Sequence, residues 1–402
     1  MKTVIVIGGG ASGMVAALTA AENPQNRVIL LERQQRIGRK LLATGNGRCN
    51  LSNTEATPEH YHGENPGFSA WALKQFGPKE TLDFFHGLGL LTTEEYGGRV
   101  YPLSNSANSV LDVLRLALDR AGVEQRCSCT VRALRREKQG FTVESDGAKL
   151  SADAVILACG GAAGANLGGV MDGYQLAKGL GHKRTALYPA LVQLLTEPEY
   201  PRALKGVRVN CTLRLKRKAF LLAKSQGELL FTETGVSGSA VFDLSRAAAT
   251  GGEGLVLHAA LVPQSAGELL ELLQRRRQDY PTLAASEILT GMLHNRLGRM
   301  LVKYAGLTAS TPLQSLSEAE LDSLARACTD FCLPVKGTEG FDHAQVTAGG
   351  LRCSDFNVKT LESRLVPGLY ACGELLDIDG DCGGYNLQWA WSSGRLAGRL
   401  GT

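Results

Sequence analysis

No apolar run in the sequence approaches the eighteen or so residues that a membrane-crossing helix needs, and no Cys-x-x-Cys or His/Cys cluster has the spacing of metal ligands. A bilayer-spanning helix and a sequence-local zinc site are therefore excluded, and no metal is expected. The ten cysteines are sparse over 402 residues, with only Cys127 and Cys129 within three positions of each other, so they read as reduced, mostly buried structural thiols rather than a disulfide framework. The apolar opening KTVIVI is only a strand's length and lacks the longer apolar region and small-residue cleavage site of a secretory signal, so a cytoplasmic location is expected. The 44% hydrophobic and 20% charged shares are those of an ordinary globular chain, and the length allows two or three modest domains or one doubly wound domain with an insertion.

What is abundant is glycine at particular places. TVIVI, residues 3–7, is a β-branched run suited to a strand buried on both faces, and an alanine-rich helical stretch runs from Gly13 to Glu22. Between them Gly8, Gly10 and Gly13 fit G-x-G-x-x-G. A second strand, Arg27 to Leu31, ends at Glu32, nineteen residues beyond Gly13. Each part has a task in dinucleotide binding: Gly8 for a tight turn, Gly10 for close approach of backbone to a pyrophosphate, Gly13 for helix–strand packing, and Glu32 for the ribose hydroxyls. Two further strands end in small residues, DAVILACGGA at 153–162 and GLYACGE at 368–374. Their ACG endings resemble the Ala-Thr-Gly signature of flavoproteins with this fold, and Glu374 stands where such proteins place an acid on the ribityl chain, so FAD is the expected cofactor. A helical pattern beginning near Asn386, after Gly383 and Gly384, offers an N-terminus whose free N–H groups suit the electron-rich side of a flavin. The loop ATGNGRCNLSN, residues 43–53, follows the ribose-binding acid and is expected to run beside the ribityl chain and ring.

Four stretches, GRKLLATGNGRCNLSN, FTETGVSGSAVFDLSR, QVTAGG and GLYACGELLDIDGDCGGYNLQWAWSSGRLAG, together resemble a bacterial FAD-dependent oxidoreductase family that includes a ribosomal RNA dihydrouridine synthase, a bile-acid enone reductase and an aminoacetone oxidase. The resemblance covers nearly the whole chain. It implies an α/β fold, a Rossmann-like FAD-binding domain (a doubly wound parallel sheet) interrupted by an insertion with a small antiparallel β-barrel-like part and a helical part. The expected boundaries are 1–188 and 344–402 for the FAD domain, 189–263 for the β-rich insertion and 264–343 for the helical insertion. The residues agree independently: VRVNCTLRLK at 207–216 alternates apolar and polar as a half-exposed antiparallel strand does, and 267–278, 286–305 and 317–328 have helical spacing. The stretch NLGGVMDGYQLAKGLGH departs from relatives, which carry a Gly-Asp-Gly turn where Met171 precedes Asp172 here. No second G-x-G-x-x-G is present for a separately held nicotinamide, so NADH or NADPH is expected to dock transiently.

The expected cofactor-binding residues are Gly8, Gly10, Ala11, Ser12 and Gly13 at the first turn, and Glu32 and Arg33 after the second strand. Lys40, Thr44, Gly45, Asn46 and Asn50 follow along the loop, then Val131, Ala158, Cys159, Gly160 and Asp172. Gly373, Glu374, Gly384, Tyr385, Asn386 and Leu387 complete the set near the C-terminus. For hydride transfer through flavin N5 to an activated C=C bond, Arg48, Tyr385 and Asn386 are candidate hydrogen-bond donors and Cys49 a candidate acid, with His182, Tyr188 and His343 as alternatives. Trp389 and Trp391 on the last helix read as packing residues.

The insertion bears on the substrate. Arg202, Lys205, Arg208, Arg214, Lys216, Arg217, Lys218 and Lys224 follow one another without an intervening acid, and Arg275 to Arg277, Arg296, Arg299 and Lys303 could extend the patch. Such a stripe can neutralise phosphates, or it can simply protect a solvated strand edge. The leading expectation is reduction of uridine in 23S ribosomal RNA, with the basic insertion as the RNA contact. The alternatives are a small-molecule enone reductase for a steroid or bile-acid-like substrate, and an O2-dependent amine oxidase acting on an aminoacetone-like amine.

Overall fold

A computed structural model describes residues 1–401. The chain opens with strand β1 (Lys2–Ile7), helix α1 (Ala11–Ala21) and strand β2 (Asn26–Leu31), followed later by β3 (Glu124–Arg126) and β4 (Ala154–Leu157). The valine, isoleucine and leucine residues of β1, β2 and β4 are almost completely buried, as expected for strands covered on both faces.

Residues 190–340 form a compact unit of their own. Its strands are β5 (Leu194–Thr196), β6 (Arg208–Arg217), β7 (Phe220–Phe231), β8 (Gly235–Ser237), β9 (Leu255–Ala260) and β10 (Phe331–Thr338). They close into an antiparallel barrel in the order β5-β8-β7-β6-β9-β10, with β10 pairing back onto β5. Alternation along β6 puts Cys211, Leu213 and Leu215 inside and their polar neighbours outside. Helix α2 (Ser239–Thr250) falls between β8 and β9; α3 (Ala266–Asp279), α4 (Asn295–Tyr304) and α5 (Glu318–Thr329) fall between β9 and β10. The β part is thus discontinuous in sequence, because the strand that closes it lies beyond the helices. The helical spacing of 286–305 is realised only from Asn295. Gly291 adopts a left-handed φ of 84° that ends any earlier helical path, and the His294 ring nitrogen caps the new helix by accepting from Arg296 N–H at 3.2 Å.

The chain then returns to the first unit, which comprises residues 1–189 and 341–402, through β11 (Leu369–Ala371) and ends in helix α6 (Tyr385–Gly398). The parallel sheet runs β11-β4-β1-β2-β3, so three glycine-ended strands, β11, β4 and β1, are neighbours with their C-terminal ends on one side. Helices α1 and α6 pack through small residues: a Cβ at Gly394 would overlap the Ser12 carbonyl, and one at Gly398 would meet Ala16 O and Thr19 Cβ. Trp389 and Trp391 are fully buried, donating to the carbonyls of Gly373 (3.0 Å) and Leu51 (2.8 Å). Among the described residues no helix is long and apolar enough to cross a membrane.

Gly394→Val should force α1 and α6 apart and lower stability by about 1–3 kcal/mol, as overpacking of a close contact does. Chemical denaturation measures this, and an unchanged midpoint would contradict the packing described.

Candidate functional site

Local geometry at the first turn separates the three glycines by task. Gly8 has φ 110° and a Cβ there would overlap Ala158 O; one at Gly13 would overlap Gly8 O. At Gly10, by contrast, a Cβ meets nothing within 4 Å, and Gly10 serves as the N-cap of α1 without any side-chain cap. The first turn of α1 therefore presents backbone N–H groups and the positive end of the helix dipole to open space, the condition an anion needs. Gly160, at φ 71°, is likewise open, at the end of β4 next to Cys159, whose thiol donates to Ile7 O (3.4 Å) and is pushed up to about 12 by burial.

Glu32 sits at the end of β2 with one carboxylate oxygen accepting from Gly9 N–H and the other from Gln34 N–H, each at 2.7 Å. The segment just before Val131 lies against it: Cys129 N–H donates to Glu32 O (2.9 Å) and Ser128 N–H to Gln34 O (2.8 Å). Next to Glu32, the Arg33 Nε is a buried donor with no partner. Both features suit a polar, anionic dinucleotide: a carboxylate with lone pairs to spare and an orphaned guanidinium N–H.

A second carboxylate joins distant parts of the chain. Glu374, after β11, takes Lys40 Nζ at 2.8 Å on one oxygen and Thr347 N–H at 2.9 Å on the other, while Thr347 Oγ1 accepts from Ala163 N–H (2.9 Å). Gly161 is confined by the same pair, since a Cβ there would fall on Thr347 Oγ1 and Glu374 Oε1. Thr347 had no signal in the sequence beyond its place in QVTAGG. Asp172 opens a helix, Asp172–Gly179, whose Gly173 packs on Cys159 and Leu375.

The loop after Lys40 is held in an unusual backbone. Gly45, Asn46, Gly47 and Cys49 all have positive φ (56°, 55°, 84° and 60°). Left-handed Asn and Cys are sparsely populated states that persist where surrounding structure imposes them, which accounts for the Gly/Asn content. The Thr44 hydroxyl donates to Leu41 O (2.7 Å), and Asn50, with its amide nitrogen facing carbonyls, donates to Ser52 O (3.0 Å) and Val100 O (3.2 Å) and accepts from Gly384 N–H (3.2 Å). Gly384, at φ 100°, is the N-cap of α6, and no side chain other than that amide is needed there.

Three of the four expected reactive side chains turn out to be committed elsewhere, and the fourth, Tyr385, is buried. Arg48 pairs with Glu95, donates to Asn105 (2.7 Å) and lies over the Tyr101 ring at 4.1 Å, so its charge is not open to an anionic substrate. Cys49 is wholly buried and burial pushes its thiol up to about 12, which argues against proton donation and for packing. The Asn386 amide braces the preceding loop, accepting from Gly380 N–H and donating to Gly380 O, both at 2.8 Å. Tyr385 is buried, with its carbonyl accepting from Tyr61 Oη (3.0 Å). Of the alternatives, His182 is buried against Phe356 and Ser363, which lowers its proton affinity, His343 is exposed, and Tyr188 is half-buried.

The structure adds a group that sequence spacing could not reveal. His60 Nδ1 and His62 Nε2 meet the two oxygens of Asp381 at 2.9 and 2.7 Å, and the His60 ring stacks on Tyr385 with centroids 4.3 Å apart. The contact is built by a short antiparallel pair, Tyr61–His62 with Asp379–Gly380, so both rings stand at the start of α6. All three side chains are about one-third exposed. Burial alone would raise the Asp381 carboxyl, but hydrogen bonds from His62 and His60 outweigh it and hold the group below the usual carboxylate range.

Comparison with known proteins agrees with this architecture. Residues 2–400 match the family model described as the HI0933-like protein Rossmann domain. The chain is 42% identical, over 99% of its length and 98% of the relative's, to a 3-dehydro-bile acid delta(4,6)-reductase of Clostridium scindens. It is 31% identical, over 97% and 95%, to the ribosomal RNA dihydrouridine synthase of Escherichia coli. In fold it resembles the crystal structure of 3-ketosteroid delta1-dehydrogenase from Sterolibacterium denitrificans, at a TM-score of 0.52 and 14% identity over 99% of each chain. An open glycine turn under an uncapped helix, carboxylates at the ends of β2 and β11, and a match over almost every residue lead to one conclusion: this chain belongs to the HI0933-like Rossmann family of FAD-dependent oxidoreductases.

Proposed function

We propose that this chain reduces a carbon–carbon double bond conjugated to a carbonyl in a small, steroid-like molecule, with FAD as bound cofactor and NADH or NADPH as electron source. FAD supplies hydride chemistry when bound, and the protein supplies binding, orientation and proton handling. Gly10, Ala11, Ser12 and Gly13 would hold the pyrophosphate, Glu32, Arg33 and the segment leading to Val131 the adenosine end, and Lys40 and Glu374 the ribityl chain. The amides of Gly45, Asn46 and Gly384 to Leu387, with Ala158 to Gly160 and Asp172 nearby, would border the ring.

The observation that carries the reading is the His60–Asp381–His62 cluster at the start of α6. Saturating a C=C bond requires a proton as well as a hydride, and a pair of imidazoles on one carboxylate, open to solvent beside the helix N-terminus, can hold and deliver it. Asp381 stays anionic through the neutral range and loses that role only as pH falls below the ordinary carboxylate value.

The substrate class is supported by the charges of the insertion. Arg208 pairs with Glu228, Lys205 with Glu233, Arg214 with Asp330, Arg299 with Glu287, and Arg277 with Glu318. Lys205, Arg208 and Arg214 of the stripe, and Arg277 and Arg299 of its extension, are thus paired inside their own domain, which weakens their use as phosphate contacts. The relative with 42% identity bears the name of a reductase of a bile acid, in keeping with a small apolar substrate. Uridine in ribosomal RNA is the second reading, supported by two relatives named for that activity and by Lys216, Arg217 and Lys218 around the β6–β7 turn.

In an anaerobic single turnover, protein reduced with NADH or NADPH should recover its oxidised visible spectrum on addition of a 3-keto-4-ene or 4,6-diene steroid, and not with a ribosomal RNA fragment. The opposite pattern sinks the small-molecule reading. Replacing both His60 and His62 by glutamine should cut this oxidative step by about 10²–10⁴-fold and leave FAD content and reduction by nicotinamide intact. A separate check is Gly10→Val. Since nothing lies within 4 Å of that Cβ, the apo-protein should keep its thermal midpoint while FAD uptake collapses; retention of FAD would show the turn is not the pyrophosphate site.

A further inference from the structure

On the outside of the barrel, three side chains of different chemistry converge. His258 on β9 and Cys332 on β10 are register partners across adjacent antiparallel strands, and Asp330 stands between helix α5 and β10. His258 Nδ1 lies 3.0 and 3.2 Å from the two Asp330 oxygens and 3.3 Å from Cys332 Sγ, and Cys332 Sγ lies 4.0 Å from Asp330 Oδ2. Without an ion, these contacts are satisfied by protons, the Cys332 thiol donating to the Asp330 carbonyl at 3.3 Å and an imidazole N–H shared between carboxylate and sulfur. A cation facing all three side chains would take the place of those protons, since one imidazole nitrogen, one thiol sulfur and one carboxylate lie within 4.0 Å of one another.

The dimensions agree with this. Metal–ligand bonds of about 2.0–2.3 Å in a tetrahedral site put neighbouring N, O and S donors roughly 3.3–3.6 Å apart, within about half an ångström of the triangle seen here. Imidazole, thiolate and carboxylate are together the donor set of zinc and its transition-metal neighbours rather than of magnesium or calcium. Asp330 is held from outside the triangle by Arg214, the cross-strand partner of His258, whose Nη2 donates to Oδ1 at 3.0 Å and leaves Oδ2 on the Cys332 side. Such an outer partner fixes a ligating carboxylate, while its charge, with Lys216 nearby, limits affinity. Asp330 is 44% exposed and the His258 side chain 17%, so an ion has a path from solvent.

We propose that His258, Asp330 and Cys332 form a binding site for a Zn²⁺-class transition-metal ion, with solvent in the fourth position. Binding replaces the Cys332 S–H bond by an S–metal bond and releases that proton to solvent, so affinity rises with pH. The site was invisible in the sequence because two of its ligands lie 72 and 74 positions from the third.

Chelator-stripped, FAD-loaded full-length protein titrated with Zn²⁺ in a calorimeter should show one saturable site per chain, and none with Mg²⁺. His258→Ala and Cys332→Ser should each weaken Zn²⁺ binding by at least the ~10–100-fold that loss of an outer-shell partner costs, with the thermal midpoint recorded as a folding control. Cys127→Ser, on an exposed thiol outside the barrel, should leave it unchanged. If either ligand variant fails to fold, wild-type protein answers alone: Zn²⁺ should slow alkylation of Cys332, located by peptide mass spectrometry, and leave Cys127 reactive. Absence of saturable binding, binding undiminished in both ligand variants, or alkylation of Cys332 indifferent to Zn²⁺ overturns the proposal.

Discussion

The carboxylate of Glu374 is the interaction on which the candidate site depends. It joins the end of β11 to Lys40, 334 positions away, and to the backbone of Thr347. Lys40 and Glu374 are only about one-third and one-fifth exposed, so removing either would leave the other's charge partly desolvated without a partner. The pair thereby fixes where the loop after β2 runs relative to the ends of β11 and β4. That loop in turn reaches α6 through Asn50, which meets the N–H of Gly384. This part of the site is a closure between the loop after β2, the end of β11 and the start of α6.

Two helix N-termini define what this closure can receive. Both α1 and α6 begin at a glycine N-cap with no side-chain cap, Gly10 and Gly384. Elsewhere in the chain α3 and α5 start with complete Ser/Glu capping boxes, at Ser265–Glu268 and Ser317–Glu320. Donors left without a side-chain cap at α1 and α6 can be satisfied by a ligand. Around α6 the protein keeps its own polar groups engaged with one another, Arg48 with Glu95 and Asn386 with the Gly380 backbone, and leaves the His60–Asp381–His62 cluster partly open.

Much of this was legible in the sequence where the determinant is local. The strand, glycine turn, alanine helix, strand and acid from Lys2 to Glu32 follow from short-range periodicity and glycine spacing, as does the half-exposed character of β6. The Gly/Asn loop is expected to run beside the ribityl chain and ring, and the structure shows its backbone as a run of positive φ values. What escaped depends on long-range contact. Arg208 looked like a free cation because Glu228, its partner, is 20 residues away across a hairpin, and His60 carried no signal without Asp381, 321 residues on. Helical spacing across 286–294 was overridden by one left-handed glycine. The discontinuity of the barrel escaped for the same reason, since the pairing of β10 with β5 is written in neither strand alone.

The central claim is that separated segments of the chain close around one dinucleotide, gripped at both its adenosine and its flavin ends. Titration of deflavinated protein with FAD and with FMN, followed by flavin fluorescence and visible absorbance, tests it most directly. The account predicts saturable uptake of one FAD per chain and far weaker binding of FMN, which lacks the half addressed by Gly10, Glu32 and Arg33. Failure to take up FAD, or equal affinity for FMN, would contradict it.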